Sequence, residues 1–262
     1  MKTLRTIGEV RRTLVGSRRI GLVPTMGAFH EGHLALFSAA RDECEVVVVS
    51  LFVNPAQFGA NEDFARYPRD ETGDARLAEA AGVDILFAPS AEEMYPDGYA
   101  TWIDVEEVGA EGVARPGHFR GVATVCLKLF NIVQPQVAYF GQKDAQQAAV
   151  LRTMIRDLDL ALDLRLVPTV RNADGLAFSS RNAYLSEDER RQALALPRAL
   201  EAGRSAHVLG SDPVAAARGA LNGLEPDYVE VFDLDGVMLL AAAARVGSTR
   251  LIDNIILEGD LK

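Results

Sequence analysis

Ile20-Gly21-Leu22-Val23-Pro24-Thr25-Met26-Gly27-Ala28-Phe29-His30-Glu31-Gly32-His33 carries an apolar, strand-like run into two of the chain's four histidines. A helical pattern follows. In an open parallel sheet, a strand's carboxyl end feeds a helix N-terminus, whose unpaired N–H groups and dipole attract phosphate. Residues three apart on a first helical turn share a face, so His30 and His33 can both point into one cleft. Gly32, without a Cβ, lets a ribose or base approach the backbone between them. Each imidazole can donate a hydrogen bond to a phosphoryl oxygen as charge develops there. A solvated polar loop is the plain alternative. A zinc helix fits poorly, because it needs H-E-x-x-H and here the second histidine arrives one residue early.

Outward from this junction, β-branched runs alternate with helical periods. The pattern predicts strands over Glu45 to Val53, Val83 to Ala88, Gln136 to Phe140 and Ala161 to Val167. Helices are predicted from about Gly32 to Asp42, Asp70 to Ala81, Gly121 to Val133 and Asp144 to Asp157. Strands as continuously apolar as Val46-Val47-Val48-Val49 are buried on both faces, which implies a doubly wound parallel sheet. After Pro168 the texture changes. A polar stretch, Arg171 to Asn182, leads to helices over Ser186 to Gly203 and Asp212 to Leu221, then strands over Tyr228 to Leu234 and Arg250 to Leu257. This reads as residues 1–170 in a Rossmann-like domain and 171–262 in a smaller α+β domain. Ala241 to Ala244 reads as part of a packed helix.

Composition bounds the partners. Net charge is −10 over 262 residues, 48% of them hydrophobic, which disfavours a clamp on nucleic acid or an anionic membrane and leaves room for a local basic pocket. The polar N-terminus, Met1 to Arg12, shows no signal-peptide core, and the longest apolar run, Val46 to Val53, is too short to span a bilayer. Cys44 and Cys126 sit in or beside apolar segments and read as reduced thiols, as in the cytoplasm.

Further constellations fall at the ends of predicted elements. Gly141-Gln142-Lys143-Asp144 repeats the strand-to-helix geometry with a cation for phosphate and a carboxylate for a helix cap or ribose hydroxyl. Phe178-Ser179-Ser180-Arg181-Asn182 offers hydroxyls and a guanidinium to outer phosphates. Asn54-Pro55-Ala56-Gln57-Phe58 puts amides at a strand's carboxyl end, and Arg115 to Gly121 forms a basic loop before an apolar helix. Any one of these reads equally as a turn or cap.

Taken in order, P-T-M-G-x-x-H-x-G-H at Pro24 to His33, F-V-N-P-x-Q-F at Phe52 to Phe58, Y-P-R at Tyr67 to Arg69, R-P-G-H-F-R-G-V at Arg115 to Val122, G-x-K-D-x-Q-Q at Gly141 to Gln147, D-G-L-A-x-S-S-R-N at Asp174 to Asn182 and R-L-I-D-N at Arg250 to Asn254 span nearly the whole chain. Their set resembles the pantothenate synthetase family, ATP-dependent pantoate:β-alanine ligases of the H-x-G-H nucleotidyltransferase fold type. H-x-G-H alone is shared with many nucleotidyltransferases; the others together are specific.

The resemblance implies two steps. Pantoate carboxylate attacks the α-phosphate of ATP, releasing pyrophosphate, and the β-alanine amine then attacks the pantoyl adenylate, releasing AMP and pantothenate, a coenzyme A precursor. It implies His30, His33 and Lys143 as catalytic residues, with His33 the proton donor. It implies ATP along Met26, Gly27, Ala28, Phe29, His30, Glu31, Gly32 and His33, with Gly141, Gln142, Lys143, Asp144, Val170, Phe178, Ser179, Ser180 and Arg181 completing the site. Gln57 and Gln147 would hold pantoate, Gln57 also lying near β-alanine. Mg²⁺ would arrive mainly on the triphosphate, with no dedicated protein cage. A homodimer is implied, and shielding the adenylate from water gives the Arg171 to Asn182 stretch and the second domain the role of a lid. Two departures stand out: Phe178 stands where the family usually carries a smaller or more flexible apolar residue, and the stretch between Asp104 and Arg115 is slightly shorter. A nucleotidyltransferase acting on a phosphorylated alcohol would share the histidines without needing Gln57 and Gln147; a non-catalytic nucleotide-binding regulator would not need the phosphate-facing donors.

Overall fold

The computed structural model describes residues 1–60, 62–106 and 109–261. Its larger sheet contains β1 (Lys2–Leu4), β2 (Ile20–Thr25), β3 (Val46–Leu51), β4 (Ile85–Phe87), β5 (Val137–Gly141) and β6 (Asp163–Val167), all parallel, in the order β1-β4-β3-β2-β5-β6. The period-2 alternation of side chains divides these strands between two cores. Leu22, Val48, Ile85, Phe87, Ala138 and Phe140 pack with α1 (Ile7–Leu14), α6 (His118–Val133) and α7 (Ala145–Asp157). Val23, Val47, Val49, Leu86, Val137 and Tyr139 point the other way, onto α2 (Glu31–Glu43) and α3 (Glu71–Ala80). The sheet is therefore doubly wound, as its continuous apolar runs predict. Two short helices, α4 (Ala91–Met94) and α5 (Gly109–Ala114), lie on the long crossover to β5.

The β1 and α1 elements are additions to the sequence reading. Thr6 and Glu9 form a reciprocal capping box at the start of α1, a T-x-x-E signal that the polar character of the N-terminus masked. The helix after the R-P-G-H motif starts at His118, three residues early, because Gly117 adopts φ +82° at its N-cap. Of the shortened stretch between Asp104 and Arg115, residues 107 and 108 lie outside the described residues.

Beyond residue 170 an antiparallel sheet, β7 (Pro226–Leu234), β8 (Val237–Val246) and β9 (Thr249–Glu258), packs with α8 (Glu187–Ala193), α9 (Ala195–Val208) and α10 (Pro213–Gly219). Ala241 to Ala244 corrects the expectation of a helix: these alanines are the middle of β8, paired with β7 and β9. All four are buried, and neighbouring positions face different clusters, Ala242 toward α9 and α10 and Ala241 and Ala243 toward α5. Close packing on both faces of a central strand overrides alanine's helical preference. The single helix expected over Ser186 to Gly203 is two, broken at Leu194, since Pro197 has no N–H to continue the ladder. Leu234, Val237 and Leu239 of the small sheet join the core formed by α6 and α7, so the two sheets share apolar packing.

One close contact fixes the loop after β3 against α6. A Cβ on Gly121 would lie 2.2 Å from the Ala56 carbonyl oxygen and 2.6 Å from the Gln57 Cα. Gly121→Ala is expected to destabilise the fold by about 1–3 kcal/mol through this overpacking. Denaturant unfolding checks it, and a loss below about 0.5 kcal/mol would show that the loop yields freely.

Candidate active site

Strand order reverses between β2 and β5, with α2 leaving on one face and α7 on the other. Such a switch point opens a crevice at the carboxyl edge of the sheet. A cleft of about 340 Å³ lies there, lined by Met26, His30, Gly32, His33, Gln57, Gly141, Lys143, Asp144, Gln147, Val170 and the segment Phe178 to Arg181. The structure thus brings both histidines, the lysine, both glutamines and the S-S-R segment to one cavity. Among the other residues read as nucleotide-binding, Gly27, Ala28, Phe29 and Glu31 belong to the loop and helix start that carry His30 and His33. Gln142 is buried in the 3₁₀ turn that leads into α7.

The first loop is fixed from below. The Thr25 hydroxyl donates to the Ser50 carbonyl at 2.5 Å, tying the end of β2 to β3. Gly27 and Ala28 then turn through positive φ, and the buried Asp74 of α3 accepts from the Ala28 N–H at 2.8 Å and the Phe29 N–H at 2.7 Å. Asp74 was not singled out in the sequence: a carboxylate in a charged helix carries no local sign that it will collect two loop amides 45 or more residues away. Burial raises its pKa above the ordinary aspartate value despite these bonds.

His30 is the N-cap of α2. Its Nδ1 accepts from the Gly32 N–H at 3.2 Å, while His33 Nδ1 accepts from the His30 N–H at 3.3 Å. Both rings therefore carry their proton on Nε2 when neutral. They are neutral: burial, reinforced by Lys143, lowers the His30 pKa to about 4, and burial with His30 and Lys143 beside it holds His33 well below the ordinary histidine value. Phe178, the departure noted above, stacks on His30 with ring centroids 5.8 Å apart and an interplanar angle of 22°, so its ring restrains that imidazole. Gly32 keeps this contact loose, since a Cβ there would meet the His30 ring at 3.0 Å and press it to shift.

Across the switch point, the G-Q-K-D turn is held by the carboxyl-terminal strand. The Asn254 amide donates to the Gln142 carbonyl at 2.8 Å and the Lys143 carbonyl at 3.0 Å, and the Gln142 amide donates back at 3.0 Å. Asp253 forms a two-bond ion pair with Arg171, at 2.6 and 3.0 Å. This gives R-L-I-D-N a structural reason: its last two residues brace the site. Arg181 pairs with Asp63 through two 2.9 Å bonds, Ser180 Oγ contacts the Tyr67 hydroxyl at 3.1 Å, and the Tyr184 hydroxyl donates to the Arg66 carbonyl at 2.9 Å. Asp63 and Arg66 were also missed, lying between two recognised motifs. Among the described residues no three His, Cys, Asp or Glu side chains are grouped to hold a metal ion. Cys44 and Cys126 are both free and buried, and burial pushes the Cys126 thiol up to about 12.

The model of the Pantoate-beta-alanine ligase family matches residues 2–256. The chain belongs to that family. Among its relatives, the pantothenate synthetase of Moorella thermoacetica is 52% identical, over 98% of this chain and 99% of that protein, and the one from Heliobacterium modesticaldum is 57% identical over 92% of each. The crystal structure of pantothenate synthetase from Thermus thermophilus superposes with a TM-score of 0.93 at 46% identity, covering 99% of this chain and all of that one. The pantoate-beta-alanine ligase from Francisella tularensis, crystallised as a complex with beta-gamma ATP and beta-alanine, gives a TM-score of 0.82 at 33% identity and 99% coverage of each chain. The fold is that of the family, and the chain is a carbon–nitrogen ligase joining pantoate to β-alanine.

Histidine titration tests the electrostatics. Below about pH 6.5 the unfolded chain's imidazoles take up protons, whereas folded His30 does so only near 4. Folded stability therefore falls as pH drops through that window. In NMR spectra of the ligand-free protein, the His30 and His33 ring signals are expected to stay in the Nε2–H form from pH 8 to about 5. A midpoint near 6.5 for either ring would contradict the assignment.

Proposed function

We propose that the switch-point cleft binds ATP with its α-phosphate between the two histidines and Lys143, and that pantoate carboxylate attacks there to form pantoyl adenylate, which β-alanine then converts to pantothenate. The observation that carries this is the pair of neutral imidazoles whose Nδ1 atoms are both occupied by backbone N–H groups, in a cavity shared with Lys143. Negative charge grows on the α-phosphate oxygens during attack, and preorganised donors in a partly dry site stabilise it most. In this reading His33 acts through its neutral Nε2–H, since an imidazolium is disfavoured at that depth. The Francisella tularensis enzyme's complex with beta-gamma ATP and beta-alanine supports both ligands.

The remaining assignments follow the same axis. The loop Met26 to His33, Gly141 to Asp144 and Val170 would line the nucleotide, with Phe178, Ser179, Ser180 and Arg181 extending toward the outer phosphates. Gln57 and Gln147 would hold pantoate, and Gln57 would face β-alanine. Mg²⁺ is treated as part of the ATP substrate. The cleft carboxylates Asp63 and Glu62 are already paired with Arg181 and Arg115, which fits a cation carried by phosphate oxygens. The bound ion would neutralise triphosphate charge and favour pyrophosphate departure.

Residues 1–170 and 171–262 are proposed as the two functional domains, the second working with the Arg171 to Asn182 stretch as a lid. Its contacts to Asp63 and Tyr67 of the first domain span the cleft and support a closed, water-excluding form. Cytoplasmic residence and a homodimer complete the proposal on family membership; among the described residues no helix is long and apolar enough to cross a membrane.

Pyrophosphate release from MgATP should depend on pantoate alone, and AMP with pantothenate should appear on adding β-alanine. Pyrophosphate release indifferent to pantoate would return the chain to the wider nucleotidyltransferase group. Lys143→Ala should cost about 2–4 kcal/mol in kcat/KM for the first step, and near-normal adenylation by that variant would remove the lysine from the mechanism. ATP should also protect Arg171 to Asn182 from limited proteolysis; equal cleavage with and without nucleotide would refute the lid.

A further inference from the structure

A chain of paired charges, buried at its centre, runs from the small sheet to the backbone of Gln57, and the reaction as described makes no use of it. Arg250 of β9 donates to Asp227 of β7 at 2.6 Å and forms two bonds with Glu111 of α5, at 2.9 and 2.8 Å. Glu111 also lies 3.4 Å from Arg115, which grips Glu62 through bonds of 2.7 and 2.6 Å. The side chains of Glu111, Arg115 and Arg250 are 6%, 13% and 15% exposed. Desolvating so many charges costs stability that an apolar cluster would not, so the array is better explained by the geometry it imposes.

That geometry ends on one atom. Arg115 donates to His118 Nε2 at 3.0 Å, and because a guanidinium cannot accept, the His118 proton sits on Nδ1. Nδ1–H donates to the Gln57 carbonyl at 2.9 Å, and Arg115 reaches the same oxygen at 3.4 Å. The Gln57 side chain is fixed in turn by Asn54, whose amide donates to Gln57 Oε1 at 3.0 Å and to the Gly121 carbonyl at 3.2 Å. Burial first, then Arg115, lowers the His118 pKa to about 4, so it remains a neutral donor near neutral pH.

We propose that Arg115 and His118 are positioning residues for Gln57, and that the chain Asp227–Arg250–Glu111–Arg115–Glu62 couples seating of the carboxyl-terminal sheet to the pantoate side of the cleft. This rests on the reading of Gln57 as a pantoate contact. The coupling makes the substrate amide productive only when the small sheet is docked, and Arg250→Gln breaks it while leaving the bonds of Asp253 and Asn254, farther along the same strand, to hold the nucleotide side.

The test is the KM for pantoate against the KM for ATP, from pyrophosphate release, in Gln57→Ala, His118→Leu, His118→Asn and Arg250→Gln, with thermal unfolding as the control for folding. His118→Leu and Arg250→Gln are expected to raise the pantoate KM roughly tenfold or more, with the ATP KM changed less than about twofold. His118→Asn, whose amide nitrogen can take the place of Nδ1, should recover most of the loss. Equal effects on both substrates, or no advantage of Asn over Leu, would overturn the positioning role in favour of simple packing. An unchanged pantoate KM in Arg250→Gln would overturn the coupling. Gln57→Ala separates the premises: an unchanged pantoate KM there would overturn the Gln57 reading and the proposal with it, whereas a raised KM beside normal His118→Leu and Arg250→Gln enzymes would overturn the proposal alone.

Discussion

The reversal of strand order between β2 and β5 governs the rest of the molecule. Right-handed crossovers send α2 and α3 to one face and α6 and α7 to the other, so the loops leaving β2 and β5 diverge and cannot fill the space between them. Both loops open into helices, so backbone donors face the gap from two sides. The apolar strands are spent on burial, leaving the polar residues at their carboxyl ends to line the opening. The carboxyl-terminal sheet then completes the cleft, with Asn254 holding the Lys143 turn and Arg171 pairing with Asp253.

The site's electrostatics come from depth as much as from charge. His30 and His33 stay neutral because burial and Lys143 both oppose protonation, and their backbone partners decide which nitrogen carries the hydrogen. Donors fixed in this way need little reorganisation when charge appears on a substrate phosphate. The cationic groups differ in state. Arg181 is committed to Asp63, whereas Lys143 is loosely held, with a 3.4 Å contact to the more exposed carboxylate of the adjacent Asp144. In the proposed reading, an incoming triphosphate meets an available ammonium beside the reacting centre and an ion pair that must be shared farther out.

Much of the first domain was legible because its signals are local. Val46 to Val49 announces a doubly buried strand, and histidines three apart after a strand mark a helix start at the strand's carboxyl end. The convergence of Gln57, Lys143, Gln147 and the Phe178 to Arg181 segment on one cleft was legible through motif order. Ala241 to Ala244 was misread because alanine's preference is weak and the packing of β8 against helices on one side and α5 on the other is not a local property. Asp74, Asp63 and the Glu111–Arg250 pair were invisible for a related reason: each acts on partners dozens of residues away. The α1 capping box was visible in Thr6 and Glu9 but obscured by surrounding charge.

The central claim is that the divergence of the β2 and β5 loops creates the seat for the reacting phosphate. A crystal structure of the protein with pantoate and a methylene analogue of ATP that cannot react at the α-phosphate tests it most directly. The account predicts the α-phosphate within hydrogen-bond reach of Nε2 of His30 and His33 and of the Lys143 ammonium, with pantoate on the Gln57 and Gln147 side. A triphosphate bound elsewhere, or histidines presenting Nδ1–H to it, would contradict the account.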